Sequence, residues 1–347
     1  MQDQWLQAAE KGEISAALLL DLSAAFDLVD HQILLGKLKL YGLDQSSLDW
    51  FSSYLEDRVQ YVVVEANLSD PKPTGPQGIP QGSILGPLLF LAFYNDFPES
   101  KYSLENTPEH QGDETLQVDP LSISSRSVLY ADDDTDNAND KDPDVLINKI
   151  QLEANLSTSW VADNKLVCSG GKTKLLIIAT AAMRRSRLSG RQLQIQVAGN
   201  TVKESVYERI LGVLVNNQLT WHHHMHGDKT DPKKPIPGLM NLLSKRVGML
   251  SRLVHLVPSF HFRKLANGLF ISKLLYCLEL FGNCRGISTY EDGVSRSNAF
   301  TLSHLRSLQT LQNKVLRLMT GHGYDTPVKT LLEDSEMLSV NHWLITS

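Results

Sequence analysis

The run Ile14–Leu20, ISAALLL, consists of apolar and small residues without polar alternation, and it stops at Asp21. That pattern is a strand covered on both faces. A second apolar run, Val128 to Ala131, stops in the same way at Asp132, Asp133 and Asp134, with Asp136 and Asp140 close behind. At an effective dielectric of ~20, two carboxylates ~4 Å apart repel by roughly 4 kcal/mol. Buried strands that bring such ends together need a cation between them. For any one aspartate a loop or helix-cap role is the simpler reading, but if the two strands are neighbours their ends bring the carboxylates close together.

Charge is segregated along the 347 residues. The net charge is -6, which taken alone disfavours a nucleic-acid partner. From Gly227 onward, however, 15 Lys and Arg stand against 9 Asp and Glu, leaving 18 against 30 in the first 226 residues. An acidic half that collects cations and a basic half that tracks phosphates is one reading, and unrelated solvated faces are the other. Cys168, Cys277 and Cys284 have no paired spacing, so neither a disulfide framework nor a zinc ribbon is expected, and the setting is a reducing, intracellular one. The N-terminus has no leader pattern, and no apolar run approaches the ~18 residues of a membrane span.

Helical spacing is expected in DHQILLGKLKLYG (Ile33, Leu34, Leu38, Tyr41), in DQSSLDWFSSYLEDR (Leu48, Phe51, Leu55), and from about Pro143 (Leu146, Ile147, Ile150, Ala154, Val161). Val59 to Val64 is β-rich, and DPKPTGPQGIPQGS is a loop leading to an apolar helix capped by Ser83, with Pro87 in its first turn. Residues 99–126 are polar and patternless and read as an exposed insertion. Strands return at Lys174 to Ala179, in the QLQIQV/TV hairpin and at Arg209 to Val215. From Gly238 the pattern is almost wholly helical. The expected architecture is an α+β domain over 1–226 followed by a helical domain over 227–347.

Several motifs can be set aside. Asp132, Asp134 and Asp136 alternate as in a calcium loop, but Asn137 and Pro143 stand where glycine and glutamate belong. SGGKTKLL has Leu166 where a phosphate-binding loop needs its first glycine, although Lys172 or Lys174 can still meet a phosphate as a point charge. His222, His223, His224 and His226 are too close in sequence for all of them to face one ion, and the segment reads as a polar connector. GIPQGS is harder to dismiss: its glycines allow a planar substrate to approach the backbone, and Gln81 can hydrogen-bond to it. Oxygen-only ligands at Asp21 and Asp132/Asp133 fit Mg²⁺, and two such ions ~3.5–4 Å apart could activate a hydroxyl and hold a leaving pyrophosphate.

Together LLLDLSAAFDLVDH, WFSSYLEDRVQYV, GIPQGSILGPLLFLAFYNDFP, LYADD, DNKLVCSGGKTKLLII and ERILGVLVNNQLTW resemble, in order, the reverse transcriptases of non-LTR retrotransposons, most closely the jockey-like polymerases. These segments span roughly residues 16–221, and LFISKLLYCLELFGN and LQTLQNKVLRLMTG extend the resemblance weakly toward the C-terminus. It implies a right-hand polymerase: a palm of antiparallel sheet with helices on one face, partial fingers, and a helical thumb. It implies RNA-directed DNA polymerase activity with two Mg²⁺ ions (Mn²⁺ as substitute), an RNA template, a DNA primer and dNTPs, in nucleus or cytoplasm and without a membrane.

By the same resemblance Asp21 and Asp132 bridge the metals, Leu22 lends a carbonyl, and Asp133 is the second carboxylate of the box. Phe26 lies under the sugar and excludes a 2′-hydroxyl. Gln81 and Gly82 line the nucleotide pocket, Lys172 lies near the triphosphate as a proton donor, and Leu211 and Gly212 form the turn that grips the primer. Lys245, Arg246, Arg252, Arg263, Lys264, Arg306, Lys314 and Arg317 would face the duplex phosphates from the thumb. The sequence departs from the family pattern twice. Motif A begins within the first 21 residues, so the chain reads as N-terminally truncated, with most of the fingers and the upstream endonuclease lacking; Asp134 displaces the usual threonine, here Thr135, by one position. A truncated chain also suits a silent, nucleic-acid-binding relic, and the remaining alternative is an intron-encoded reverse transcriptase.

Overall fold

The structure is a computed structural model that describes residues 1–65, 67–98, 126–231, 233, 235–282 and 302–346. Apart from Arg126, the insertion expected at 99–126 lies outside the described residues. Contacts divide the chain into two compact units, Met1–Val206 and Tyr207–Ser347. The segment 207–226, grouped with the first domain on sequence, therefore folds with the helical part. Its hairpin and short helix bury Val213, Leu214, Trp221 and Met225.

The first unit is built on β1 (Ile14–Leu20), β2 (Arg126–Tyr130), β3 (Asp133–Asp140), β4 (Lys174–Ile178), β5 (Gln194–Val197) and β6 (Asn200–Ser205), in the order β2-β3-β1-β4-β6-β5. All pairings are antiparallel except β4 with β6. β1 lies between β3 and β4, and its near-complete burial matches its unalternating sequence.

One face of the sheet meets α5 (Pro143–Asp163): Ile14, Ala16, Leu18 and Leu20 pack with Leu146, Ile150 and Ala154. Asp142 caps α5 by accepting the Asp144 N–H, with Pro143 in the first turn, as its sequence suggests, and α6 (Ala181–Arg187), capped by Thr180, follows β4. On the other face, Trp5 of α1 (Gln2–Glu10) donates its indole N–H to Asn137 at 2.9 Å.

The second core of this unit joins α2 (His31–Leu40), α3 (Gln45–Leu55) and α4 (Leu85–Tyr94) to the C-terminal part of α5. At its centre Lys37 donates to Asp96 at 2.6 Å and to the Phe93 carbonyl at 2.7 Å, with its ammonium over the Phe93 and Trp160 rings. Ser83 accepts the Gly86 N–H at 2.9 Å, so the expected cap bond forms although the helix begins at Leu85. The β-rich stretch 59–64 forms only two-residue ladders, Val59–Gln60 with Lys72–Pro73 and Val63–Val64 with Asn67–Leu68, all exposed.

The second unit begins with a hairpin of β7 (Tyr207–Ile210) and β8 (Val213–Asn216). Helices follow: α7 (His222–His226), α8 (Leu239–Leu253), α9 (Ser259–Ala266), α10 (Ser272–Leu275), α11 (Leu278–Gly282), α12 (Leu302–Thr320), α13 (Val328–Ser335) and α14 (Val340–Thr346). α12 packs against α8, α9, α13 and α14. Among the described residues no helix is long and apolar enough to cross a membrane.

Candidate active site

Asp21 follows directly on β1. Its backbone carbonyl accepts the Ser169 N–H at 2.8 Å, and Ser23 donates to the Val167 carbonyl at 2.9 Å, so Leu22 faces Cys168 in a ladder whose bonds its neighbours make. The Leu22 carbonyl therefore points away from that ladder. The Asp21 side chain is about two-fifths exposed, and the Lys172 ammonium stands 3.5 Å from its Oδ1. Lys172 owes this position to the turn in which its N–H, and that of Thr173, donate to the Ser169 carbonyl. Burial, more than the Asp21 and Asp134 charges, pushes the Cys168 thiol above its ordinary pKa; the Thr173 hydroxyl only partly opposes this.

The second acidic strand end is a tight hairpin. Tyr130 pairs with Asp133, which leaves Ala131 and Asp132 as a two-residue turn with Ala131 at φ +56. Leu20 pairs with Asp134 in β1/β3, so the next step of the register sets Asp133 opposite Asp21, with Asp132 exposed beside it. Burial first, and then the Asp132 and Asp21 charges, hold the Asp133 carboxyl above the ordinary aspartate value. The three carboxylates thus feel one another across the two strand ends. With the Leu22 carbonyl they make an all-oxygen donor set that fits a hard divalent cation. Among the described residues no three carboxylate, imidazole or thiol groups already converge on one point.

Asp134 is not absorbed by the turn. It takes the first buried rung of β3, between Leu129 and Leu20, and pairing residues share a face, so Asp134, Asp136 and Ala138 look toward α5 while Asp133, Thr135 and Asn137 look the other way. β3 as a whole, DDTDNAND, is a buried polar strand that apolar patterning does not predict. It is accommodated by side chains from three elements: Ser157 donates to Asp136 Oδ2 at 2.8 Å, Ser127 donates to its Oδ1, and Trp5 reaches Asn137. Burial, followed by the Asp134 and Asp136 charges, pushes the Tyr94 phenol above its usual value.

Phe26 and the GIPQGS loop, expected to line a nucleotide pocket, lie together. Phe26 stacks on Phe90, centroids 4.4 Å apart and 18° from parallel, and Phe90 continues the stack to Tyr94. Its ring is thereby fixed by the core. The GIPQGS loop is bonded to the segment after Asp21: Gly78 N–H to Val29 O and Ile79 N–H to Phe26 O, both 2.8 Å, and Gln81 Nε2 to Asp27 Oδ1, also 2.8 Å. Gly78 has φ +94, and a Cβ there would stand 3.1 Å from the Asp27 carbonyl, so the close approach requires glycine. Gly82, at φ +79, completes the turn.

A cleft of about 650 Å³ opens here, with Asp27, Arg58, Thr74, Gln77, Pro80 and Gln81 among its walls. Sequence reading missed Asp27 and Arg58. The only sign of Asp27 is its place one residue after Phe26, and Arg58 lies just before a stretch conspicuous for valine.

Leu211 and Gly212, at φ +46 and +83, form the β7/β8 turn, and the Tyr276 hydroxyl donates to the Leu211 carbonyl. The basic residues of the helical unit are unequal. Arg317 donates to the Gly323, Tyr324 and Thr326 carbonyls, Arg246 to Leu269 O, and Arg263 to Asp334 O. These three bond backbone carbonyls within the unit, at a turn, in a π-helical stretch (Asn267–Ile271) and near a helix end, whereas Lys245, Arg252, Lys264, Arg306 and Lys314 are exposed.

The sequence profile described as "Reverse transcriptase (RNA-dependent DNA polymerase)" matches residues 3–213. The RNA-directed DNA polymerase from mobile element jockey of Drosophila melanogaster is 27% identical over 320 residues, covering 91% of this chain and 29% of that protein. The probable RNA-directed DNA polymerase from transposon X-element of the same fly is 26% identical over 340 residues, 97% of this chain and 32% of that protein. The chain thus spans about a third of the length of these relatives. Among solved structures, apo telomerase from Candida tropicalis aligns with 99% of this chain and 48% of its own, at 12% identity and a TM-score of 0.43.

Proposed function

The chain belongs to the reverse transcriptase (RNA-dependent DNA polymerase) family, and from that premise we propose that it carries the nucleotidyl-transfer site of an RNA-directed DNA polymerase of a non-LTR retrotransposon. The observation that carries the proposal is the register that sets Asp21 opposite Asp133, with Asp132 beside it in the turn, at adjacent strand ends. Asp21 and Asp132 would hold the divalent ions, with the Leu22 carbonyl as a neutral oxygen donor, and Asp133 holds the turn's second charge nearby. When bound, Mg²⁺ would lower the pKa of the primer 3′-hydroxyl and neutralise the pyrophosphate.

The chain's own residues supply positioning, which is most of what phosphoryl transfer requires. Phe26, held by Phe90, presents a rigid ring where a 2′-hydroxyl would have to fit. Gln81, oriented by Asp27, lines the pocket beside the base, with Gly82 keeping the backbone low. As the 3′-oxygen, its proton given up to solvent, bonds to the α-phosphorus, the bond to pyrophosphate breaks, and the Lys172 ammonium, at hand beside Asp21, donates a proton to the departing oxygen and regains one from solvent. The Leu211–Gly212 turn grips the primer end. Lys245, Arg252, Lys264, Arg306 and Lys314 hold duplex phosphates independently of sequence.

Primer extension on an RNA template with Mg²⁺ and dNTPs tests this reading, using the chain as given, its Asp132→Asn variant, and a longer chain with the relatives' upstream region. Extension that survives Asp132→Asn refutes the metal assignment. Extension by the longer chain alone means that this stretch holds the site without being sufficient for turnover. Duplex binding that is salt-insensitive, or unchanged without residues 227–347, refutes the phosphate-tracking role.

A further inference from the structure

One cluster in the second unit has no part in nucleotidyl transfer. α7 carries four histidines whose rings leave in different directions. His224 turns inward, is 6% exposed, and accepts the Leu214 N–H on Nδ1 at 3.3 Å. His223 stacks on Tyr207, with centroids 4.7 Å apart. His222 and His226, one helical turn apart, share the remaining side with their rings 4.8 Å apart. Against them comes His304, from the first turn of α12: its Nε2 is 3.0 Å from His226 Nε2, and the two ring centroids are 5.1 Å apart.

These spacings are those of imidazoles around one ion. With metal–nitrogen bonds of ~2.0–2.1 Å in a tetrahedral shell, two ligating nitrogens lie ~3.3 Å apart and their ring centres ~5 Å apart. The i, i+4 pair is also the spacing by which helical histidines chelate a single metal. We propose that His222, His226 and His304 form a binding site for a transition-metal dication of the Zn²⁺ class, with water or a small anion in the fourth position.

Because the three donors do not yet converge on one point, loading requires a rotation of the His222 ring. It also requires the ring that donates in the His226–His304 contact to move its proton from Nε2 to Nδ1, which frees both Nε2 lone pairs and releases no net proton from neutral rings. An all-nitrogen set selects zinc-like metals over Mg²⁺, so this site is chemically distinct from the carboxylates. The bound metal would fasten α7 to α12 across 78 residues of chain and stabilise the folded unit by mass action.

The test is calorimetric titration of the full chain with Zn²⁺, together with the visible d–d spectrum of its Co²⁺ form. One equivalent is expected to bind, to raise Tm, and to give a tetrahedral Co²⁺ spectrum, with Mg²⁺ not competing. His304→Gln should weaken binding at least about tenfold, a loss of ~1.4 kcal/mol. His223→Gln and Asp132→Asn should leave the isotherm unchanged. Metal-free circular dichroism of each variant checks folding, and His226→Gln provides a second ligand loss should His304→Gln fail to fold. No binding by the parent chain overturns the proposal. So does full affinity in the folded His304→Gln chain, which would place the metal on the HHHMH segment alone.

Discussion

Asp30 connects the sequence motif after Asp21 to the stability of the site, and its replacement separates capping from charge. It is the N-cap of α2: one carboxylate oxygen accepts the Gln32 and Ile33 N–H groups, both at 3.0 Å, and the other takes the Lys165 ammonium at 2.7 Å. Asp30→Ala removes both functions. The cap contributes about 1 kcal/mol; the ion pair, with Lys165 58% exposed, adds about 0.2–1 kcal/mol because water screens it. Asp30→Ala is therefore expected to lose roughly 1–2 kcal/mol, and Asp30→Asn, which keeps the acceptor, less than about 1 kcal/mol. Burial raises the Asp30 pKa, but Lys165 and the two N–H groups outweigh it, and the carboxyl ends below its ordinary 3.8. A carboxyl with a depressed folded pKa stabilises above its unfolded pKa, and that stabilisation fades as pH falls through the folded value. The assay is urea unfolding of the three chains, followed by circular dichroism at pH 7 and again well below 3.8. The parent and Asp30→Asn should differ at pH 7 and converge in acid. Equal losses for Asn and Ala at pH 7, or a parent–Asn gap that persists in acid, would refute the reasoning.

Three further substitutions have expected outcomes. Lys37→Met should lose about 1–3 kcal/mol, since packing between Phe93 and Trp160 survives while the charged bonds to Asp96 and Phe93 O do not; a double-mutant cycle with Asp96→Asn measures the coupling, and additivity of the two changes would deny it. Trp5→Phe keeps an aromatic ring and removes the indole N–H that Asn137 accepts, so a drop of about 1–3 kcal/mol in urea unfolding is expected and an unchanged midpoint would contradict it. Gly78→Ala meets both an unfavourable φ and the Asp27 carbonyl. In whichever chain supports extension, its dNTP KM should rise several-fold while salt-dependent duplex binding stays as it was; an unaltered KM would show that the loop does not shape the pocket.

What is local in this protein was legible in its sequence. β1 announces itself by lacking polar alternation, Asp21 and Asp132 by ending apolar runs, and α5 by its cap, its proline and its apolar spacing, because each of these depends on residues within one or two turns of chain. Several features were not legible, for a common reason. β3 is a strand only because β1 and β2 supply its backbone partners and Ser127, Ser157 and Trp5 supply hydrogen bonds to its carboxylate and amide groups. On its own DDTDNAND would favour solvent. Arg317, Arg246 and Arg263 look like phosphate ligands in sequence, and that they also bond backbone carbonyls of their own unit is visible only in the fold.

His304 is similar: no spacing links it to the histidines of α7, and only the packing of the second unit does. The sequence by itself determined which residues carry charge, where strands and helices begin, and the family to which the chain belongs. Tertiary structure decided which charges face one another and which are already satisfied, because Coulomb and hydrogen-bond energies depend on distance through space and not along the chain.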